Sequence, residues 1–152
     1  RPSMHANPSR LWLPLLLSTA LAISDVGDPL RVLIISTSQR SHMLAIRGLA
    51  EELASAPDIE VEWAAHSEDK GFIMAGGAEG QWEFVDAGTE PKPASYYDYT
   101  RTIFQLFELA ADYSLSLAVG LQRHVLERPP HVIIYDGLFE ASAYYLSEKA
   151  GG

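Results

Sequence analysis

The feature that most constrains the fold of this chain is a pair of continuous apolar runs lying far apart in the sequence. Arg31–Ser36 reads "RVLIIS" and His131–Asp136 reads "HVIIYD", and both are rich in β-branched residues. Runs that are apolar at consecutive positions are typical of strands buried on both faces, as in a parallel sheet. Two further strands are predicted over Ile59–Ala65 and Trp82–Gly88.

Helical patterns separate these strands. The first follows "RVLIIS", and its apolar stripe consists of Leu44, Ile46, Leu49, Ala50 and Leu53. A short helix is predicted within Ser67–Ala78. One long helix, or two short ones in series, is predicted between Ile103 and Val125. A last helix is predicted over Leu138–Ala150, with Gly151 as its C-cap.

This alternation of strands and helices predicts an α/β domain with a Rossmann-like, doubly wound parallel sheet. Right-handed crossovers place the strands in the order 3-2-1-4. The chain then reverses its winding between the first and fourth strands, and ligands bind at such a switch point, beyond the carboxyl ends of the strands. His42, at the start of the first helix, and Asp136, at the end of the fourth strand, are both predicted to lie there. These two residues form the candidate site.

Composition excludes several classes of function. The chain has 152 residues, a net charge of -9 and no run of Lys and Arg, so no nucleic-acid partner is expected. It contains no cysteine, which excludes disulfides, thiolate catalysis and cysteine-ligated metals. Its histidines do not have the spacing of metal ligands, so no metal site is expected.

The loop "STSQRS" after the first strand contains no glycine. A dinucleotide cofactor needs G-x-G-x-x-G at this point, and no P-loop motif occurs in the chain, so no such cofactor is expected. The loop offers side chains instead, and Ser38, Gln39 and Arg40 are predicted to meet the polar groups of a ligand. Tyr96 and Tyr97 either pack a loop or line an apolar part of the ligand pocket.

An imidazole beside a carboxylate is the arrangement of general base catalysis. The carboxylate fixes the tautomer and stabilises the imidazolium, while the other ring nitrogen takes a proton from a hydroxyl. No G-x-S-x-G motif supplies a serine nucleophile, so the activated hydroxyl would be the substrate's own. Structural roles are the alternative: His42 as a first-turn helix residue and Asp136 as a helix cap.

The remaining histidines are weaker candidates. His66 follows the second strand at the same edge of the sheet and is either a loop residue or part of the site. His124 is predicted on the solvated side of its helix. His131 opens the fourth strand and therefore lies at the opposite edge of the sheet.

The N-terminal residues have the pattern of a secretory signal peptide. Arg10 is followed by the apolar run Leu11–Leu17 and then by Ala20-Leu21-Ala22, which fits an A-x-A cleavage site. We therefore expect a signal peptide over residues 1–24, a domain over residues 25–152, and a location in the secretory pathway. An uncleaved membrane anchor is the alternative reading.

Two segments of the chain resemble the N-terminal half of family 1 UDP-glycosyltransferases. They read "RVLIISTSQRSHMLAIRGLAEELASAPDIEVEWAAHSE" and "PPHVIIYDGLFEASAYYLSEKAGG", and they occur in the family's order. The resemblance implies a GT-B enzyme with an N-terminal acceptor-binding half and a C-terminal half that binds most of the nucleotide sugar. It implies no cofactor, because the UDP-sugar is the donor substrate, and it is compatible with the endoplasmic reticulum lumen.

In that family, a histidine at the position of His42 deprotonates an acceptor hydroxyl for inverting attack on the anomeric carbon of the hexosyl donor. The family's partner aspartate falls near Asp136. The chain departs from the pattern at Ser41, where the family usually has Gly, and at Ala45, in a region where Pro is often seen. The expected acceptor is a small, apolar molecule.

The sequence contains no donor domain, which leaves three readings. The chain is the N-terminal half of a glycosyltransferase whose donor half is missing. Alternatively, it is the non-catalytic subunit of a split GT-B glycosyltransferase, which recruits a separate donor-binding chain. A third reading is an unrelated flavodoxin-like binding module.

Overall fold

The computed structural model of the chain describes residues 28–36, 38, 40–75, 81–89, 103–137 and 140–151. The predicted signal peptide, Gln39, Tyr96 and Tyr97 lie outside these residues. In chain order the elements are β1 (Leu30–Ile35), α1 (Arg40–Ala54), β2 (Ile59–Ala65), a 3₁₀ turn (Ser67–Asp69), α2 (Lys70–Met74), β3 (Glu83–Asp86), α3 (Ile103–Glu127), β4 (Val132–Tyr135) and α4 (Glu140–Ala150).

The four strands form one parallel sheet in the order β3-β2-β1-β4. Val32 of β1 is aligned with Val61 of β2 on one side and with Val132 of β4 on the other. The predicted strand order is therefore confirmed. Because β1 lies between β2 and β4, the switch in winding falls at the β1–β4 pair.

Apolar side chains of β1 point alternately to two cores. Leu33 and Ile35 pack on the face covered by α3 and α4, whereas Val32 and Ile34 pack on the face covered by α1 and α2. Trp63 of β2 is fully buried in this second core. Burial on both faces explains why the strand reads as a continuous apolar run rather than an alternating one.

Helix α3 packs very closely against the segment that follows β3. An added Cβ on Gly120 would lie 1.9 Å from the carbonyl oxygen of Ala87 and 2.7 Å from its carbonyl carbon. No side chain larger than hydrogen fits between these two backbones. Gly120 therefore sets how closely α3 can approach the sheet.

Two features differ from the predicted pattern, and one ambiguity is resolved. Leu44 is 56% exposed, and Met43, which is 1% exposed, faces the core instead. β4 was expected to be buried on both faces, but it is an edge strand of the described sheet, its residues are only partly covered, and Tyr135 is 41% exposed. Ile103–Glu127 is a single helix.

Within the described residues, none of the helices has the length and apolar character that a membrane span requires.

A charged cluster lies on the α3 face of the sheet, toward the amino ends of β2 and β3. Glu62 is 1% exposed and pairs with Nη1 of Arg128 at 2.6 Å and Nε2 of His124 at 2.9 Å. Arg128 also reaches Glu60 at 2.5 Å and Glu83 at 3.1 Å. The prediction that His124 faces solvent was therefore wrong, because its ring turns inward to a carboxylate on a strand distant in sequence.

Candidate functional site

The fold brings His42 and Asp136 into direct contact at the carboxyl edge of the sheet. His42 is in the first turn of α1, and its Nδ1 is hydrogen-bonded to Oδ2 of Asp136. Asp136 directly follows β4, and its backbone N–H donates to the carbonyl of Ile35 at 3.2 Å. Because β1 and β4 are adjacent, the first turn of α1 and the end of β4 meet at the switch point.

The two side chains differ in exposure in a way that suits a base and its orienting group. The side chain of Asp136 is 11% exposed and that of His42 is 39% exposed. An ionised carboxylate only accepts hydrogen bonds, so in a neutral imidazole the nitrogen facing Asp136 carries the hydrogen and Nε2 has the lone pair. The pair can therefore hold an imidazole ready to take a proton from a ligand that reaches it.

The loop between β1 and α1 is anchored at its start to β2. The Nε1–H group of Trp63 donates to Oγ of the buried Ser36 at 2.8 Å. The backbone N–H of Ser36 donates to the carbonyl of Ala64 at 3.3 Å. The first residue after β1 is therefore fixed to the neighbouring strand.

A second anchor of this loop is Ser38, which was predicted to meet a ligand. Its Oγ donates to Oδ2 of Asp69 at 2.8 Å and is also hydrogen-bonded to the hydroxyl of Tyr113. Tyr113 is 2% exposed. Ser38 is thus part of a network inside the protein that joins the loop to the 3₁₀ turn and to α3.

Arg40, the other described loop residue predicted to bind a ligand, is exposed at the start of α1. Its guanidinium lies 5.6 Å from the centre of the Phe72 ring, and that of Arg47 lies 4.9 Å from the same ring. Nη2 of Arg47 also donates to the carbonyl of Phe72 at 2.6 Å. Two cations of α1 therefore pack on one aromatic side chain of α2.

His66 is a buried residue beneath this loop. It is fully buried directly after β2, and its Nε2 lies 2.8 Å from Oγ of Ser116. Its ring meets that of Tyr113 edge-on, with 4.3 Å between centroids. Burial lowers the pKa of His66 from 6.5 to about 4, although the charges of Glu68 and Asp86 oppose this shift. The imidazole is therefore neutral near pH 7.

We expect the buried His66 to make folding stability depend on pH. Because its pKa is depressed in the folded chain, the unfolded chain binds more protons between about pH 6.5 and pH 4. The stabilisation is present above pH 6.5 and is lost as the pH falls through about 4, by at most about 3 kcal/mol. Urea unfolding of wild type and His66→Gln at pH 7, 5.5 and 4.5 measures this.

The wild-type free energy of unfolding should fall more steeply with decreasing pH than that of His66→Gln. His131→Gln is the matched control, because Nδ1 of the exposed His131 accepts a hydrogen bond from the Arg31 backbone N–H at the other edge of the sheet. Parallel curves for wild type and His66→Gln would show that His66 does not titrate abnormally.

Three polar residues of this region were not singled out from the sequence: Asp69, Tyr113 and Ser116. Asp69 follows β2 in a 3₁₀ turn, and burial raises its pKa, while the hydrogen bond from Ser38 opposes that rise. Tyr113 and Ser116 are three residues apart on α3 and so share one helix face. This spacing was the only signal of the pair in the sequence. It does not show against which strand ends this face of α3 packs.

Among the described residues, two surface grooves include neither His42 nor Asp136 in their lining. One runs along the outer edge of β4 beside α4 and includes Ile133, Tyr135 and Ser147. The other lies beside the amino ends of β2 and β3. Among the described residues, no three His, Cys, Asp or Glu side chains converge as metal ligands would.

Comparison with known proteins gives matches in structure only. No protein-family model matches the chain, and no curated protein sequence matches it. The glycotransferase of kitacinnamycin matches with a TM-score of 0.63 and 20% identity, over 82% of this chain and 29% of that one. CalG4, the calicheamicin glycosyltransferase, matches with a TM-score of 0.62 and 14% identity, over 78% and 30%.

A third match is UGT2 of Phytolacca americana, whose structure was solved complexed with UDP-2fluoro-glucose and pterostilbene. Its TM-score is 0.59 at 14% identity, over 84% of this chain and 30% of that one. The chain thus spans 29–30% of the length of these solved glycosyltransferases. At such identities, what is shared is the fold. The resemblance to family 1 glycosyltransferases is confirmed at that level, and this chain has the Rossmann-like α/β fold of one part of a GT-B glycosyltransferase.

Proposed function

We propose that the chain is the acceptor-binding part of a UDP-sugar-dependent, inverting glycosyltransferase, with His42 as the general base. The observation that carries this proposal is the hydrogen bond between Nδ1 of His42 and Oδ2 of Asp136 at the switch point of the sheet. The GT-B fold supports it, as does a structural neighbour that binds a nucleotide sugar together with a small molecule.

In the proposed reaction, Nε2 of His42 takes the proton of an acceptor hydroxyl. The hydroxyl oxygen attacks the anomeric carbon of the sugar from the side opposite UDP. The bond from that carbon to the UDP oxygen breaks, UDP leaves with the electron pair, and the configuration inverts. Asp136 stabilises the imidazolium that forms. No covalent enzyme intermediate is involved.

The donor-binding groups belong to a partner half, either on the same polypeptide or on a separate chain. The proposed acceptor is a small and apolar molecule carrying a hydroxyl, for which Tyr96 and Tyr97 stay predicted contacts. Ser38 contributes through the loop that it anchors rather than as an open surface group. We also propose a location in the secretory pathway, in keeping with the predicted signal peptide.

The test is an assay of the complete transferase with a set of UDP-sugars and small hydroxylated molecules. The donor half is supplied on the same chain or as a co-expressed chain. UDP release that requires an acceptor, with a product of inverted anomeric configuration by proton NMR coupling constants, is expected. Retained configuration would contradict the base mechanism. Saturable acceptor binding with no transfer to any acceptor would favour a binding module instead.

A further inference from the structure

We propose that Asp69 is a positioning residue for His42, acting through Ser38 and the loop that joins β1 to α1. This inference rests on the proposed function, because it gives Asp69 a role in the reaction assigned to His42. It concerns a hydrogen-bond network that joins this loop, through Ser38, to Asp69 of the 3₁₀ turn and to Tyr113 of α3.

Ser38 is well placed to set the start of α1. It lies two residues before the first residue of that helix and four residues before His42. Its Oγ donates to Oδ2 of Asp69 at 2.8 Å and is also hydrogen-bonded to the hydroxyl of Tyr113. A shift of Ser38 therefore moves the first turn of α1, which carries the imidazole.

The two groups that hold Ser38 both contact the buried His66: Tyr113 is itself buried, and Asp69 is partly buried. The backbone N–H of Asp69 donates to the carbonyl of His66 at 3.0 Å. The His66 ring packs edge-on against Tyr113, with its Nε2 at 2.8 Å from Ser116. His66 is fully buried, so both partners of Ser38 are connected to a residue that solvent does not reach.

His42 is thus constrained from two sides. Asp136 holds its ring from β4, and the Ser38–Asp69 hydrogen bond holds its backbone from the side of β2. A base is effective only when it is held close to its productive geometry, and a misplacement of about 1 Å can lower a rate by roughly 10²-fold. Loss of the second constraint should therefore displace the imidazole and reduce turnover, although the His42 side chain itself is retained.

Two substitutions at one position separate the hydrogen bond from the charge. Asp69→Asn keeps a side-chain oxygen that can accept from Ser38, whereas Asp69→Leu has a similar size and no acceptor. The raised pKa of Asp69, caused mainly by burial, agrees with tolerance of a neutral amide at this position. Tyr113→Phe removes one hydroxyl and keeps the ring against His66.

The experiment measures kcat and KM of the complete transferase for these variants, alone and combined with His42→Ala. Asp69→Leu should lower kcat by about 10- to 100-fold with an unchanged KM for the UDP-sugar. Asp69→Asn should stay within about threefold of wild type, and Tyr113→Phe should fall between the two. In the His42→Ala background, Asp69→Leu should cause no further loss, because it acts through the missing imidazole.

The proposal would be overturned if the losses in kcat from Asp69→Leu and His42→Ala multiplied in the double variant. It would also be overturned if Asp69→Leu alone had the wild-type kcat. If Asp69→Leu does not fold by circular dichroism, Tyr113→Phe in the two backgrounds decides in the same way. The imidazole NMR signals of His42, recorded in the 152-residue chain, provide a readout without activity. These signals should shift in Asp69→Leu and keep their wild-type positions in Asp69→Asn. This expectation holds even if the activity of His42→Ala shows that the proposed function is wrong. Unchanged His42 signals in Asp69→Leu would refute the positioning role.

Discussion

Turnover of the complete transferase is expected to fall by about 10²- to 10⁴-fold when His42 is replaced by alanine. His42→Ala removes the group that is proposed to take the proton of the acceptor hydroxyl as its oxygen attacks. The loss should appear in kcat, because proton removal belongs to the transition state rather than to acceptor binding. Single-turnover UDP release at saturating donor and acceptor measures it.

Asp136→Asn gives an independent check on the same pair. An amide NH₂ facing Nδ1 favours the ring tautomer that carries its hydrogen on Nε2, so the base is lost although the ring stays in place. His131→Ala is the control, because His131 lies at the opposite edge of the sheet and should leave turnover unchanged. Wild-type turnover in His42→Ala, with native circular dichroism, would reduce His42 to an ordinary residue of the first helical turn.

The second large effect is expected on stability, from Gly120→Ala. The new methyl group would lie 1.9 Å from the Ala87 carbonyl oxygen, far inside van der Waals contact, and the group it meets is backbone. Helix α3 must therefore move away from the sheet, which disturbs its packing around Leu117 and Leu121. We expect a loss of at least about 2 kcal/mol in the free energy of unfolding, measured by urea denaturation.

Gly48→Ala is the matched control for this substitution. Gly48 lies within α1, and a Cβ added there meets no atom within 4 Å. Because alanine favours the helix over glycine by about 0.8–1 kcal/mol, this variant should be slightly more stable than wild type. A Gly120→Ala protein that is also more stable would mean that α3 and Ala87 are farther apart than the structure places them.

The candidate pair could be predicted from the sequence because its placement follows from topology alone. A continuous apolar strand before His42 and another before Asp136 predict a parallel sheet, and right-handed crossovers then make the two strands neighbours. No detail of side-chain packing is needed for that step. The same reasoning placed His131 at the opposite edge, where its backbone N–H pairs with the start of β1.

The Asp69–Ser38–Tyr113 network could not be predicted in the same way. Its members belong to a 3₁₀ turn, a loop and a helix, and their contact depends on how closely α3 approaches the sheet. That distance is set by Gly120, which on its own gave no sequence signal. The inward turn of His124 was missed for the same reason, since its partner Glu62 is 62 residues away.

The contact between His42 and Asp136 also has a consequence for biosynthesis. The two residues are 94 positions apart, so ribosomes adding about 5–20 residues per second complete Asp136 roughly 5–20 s after His42. From the completion of β2 at Ala65 until β4 is synthesised, β1 can pair with β2 but not with β4. The nascent domain therefore exposes one edge of β1 and the His42 imidazole without its carboxylate. The β1 edge gains its hydrogen bonds and the imidazole gains Asp136 at the same time, when β4 joins the sheet.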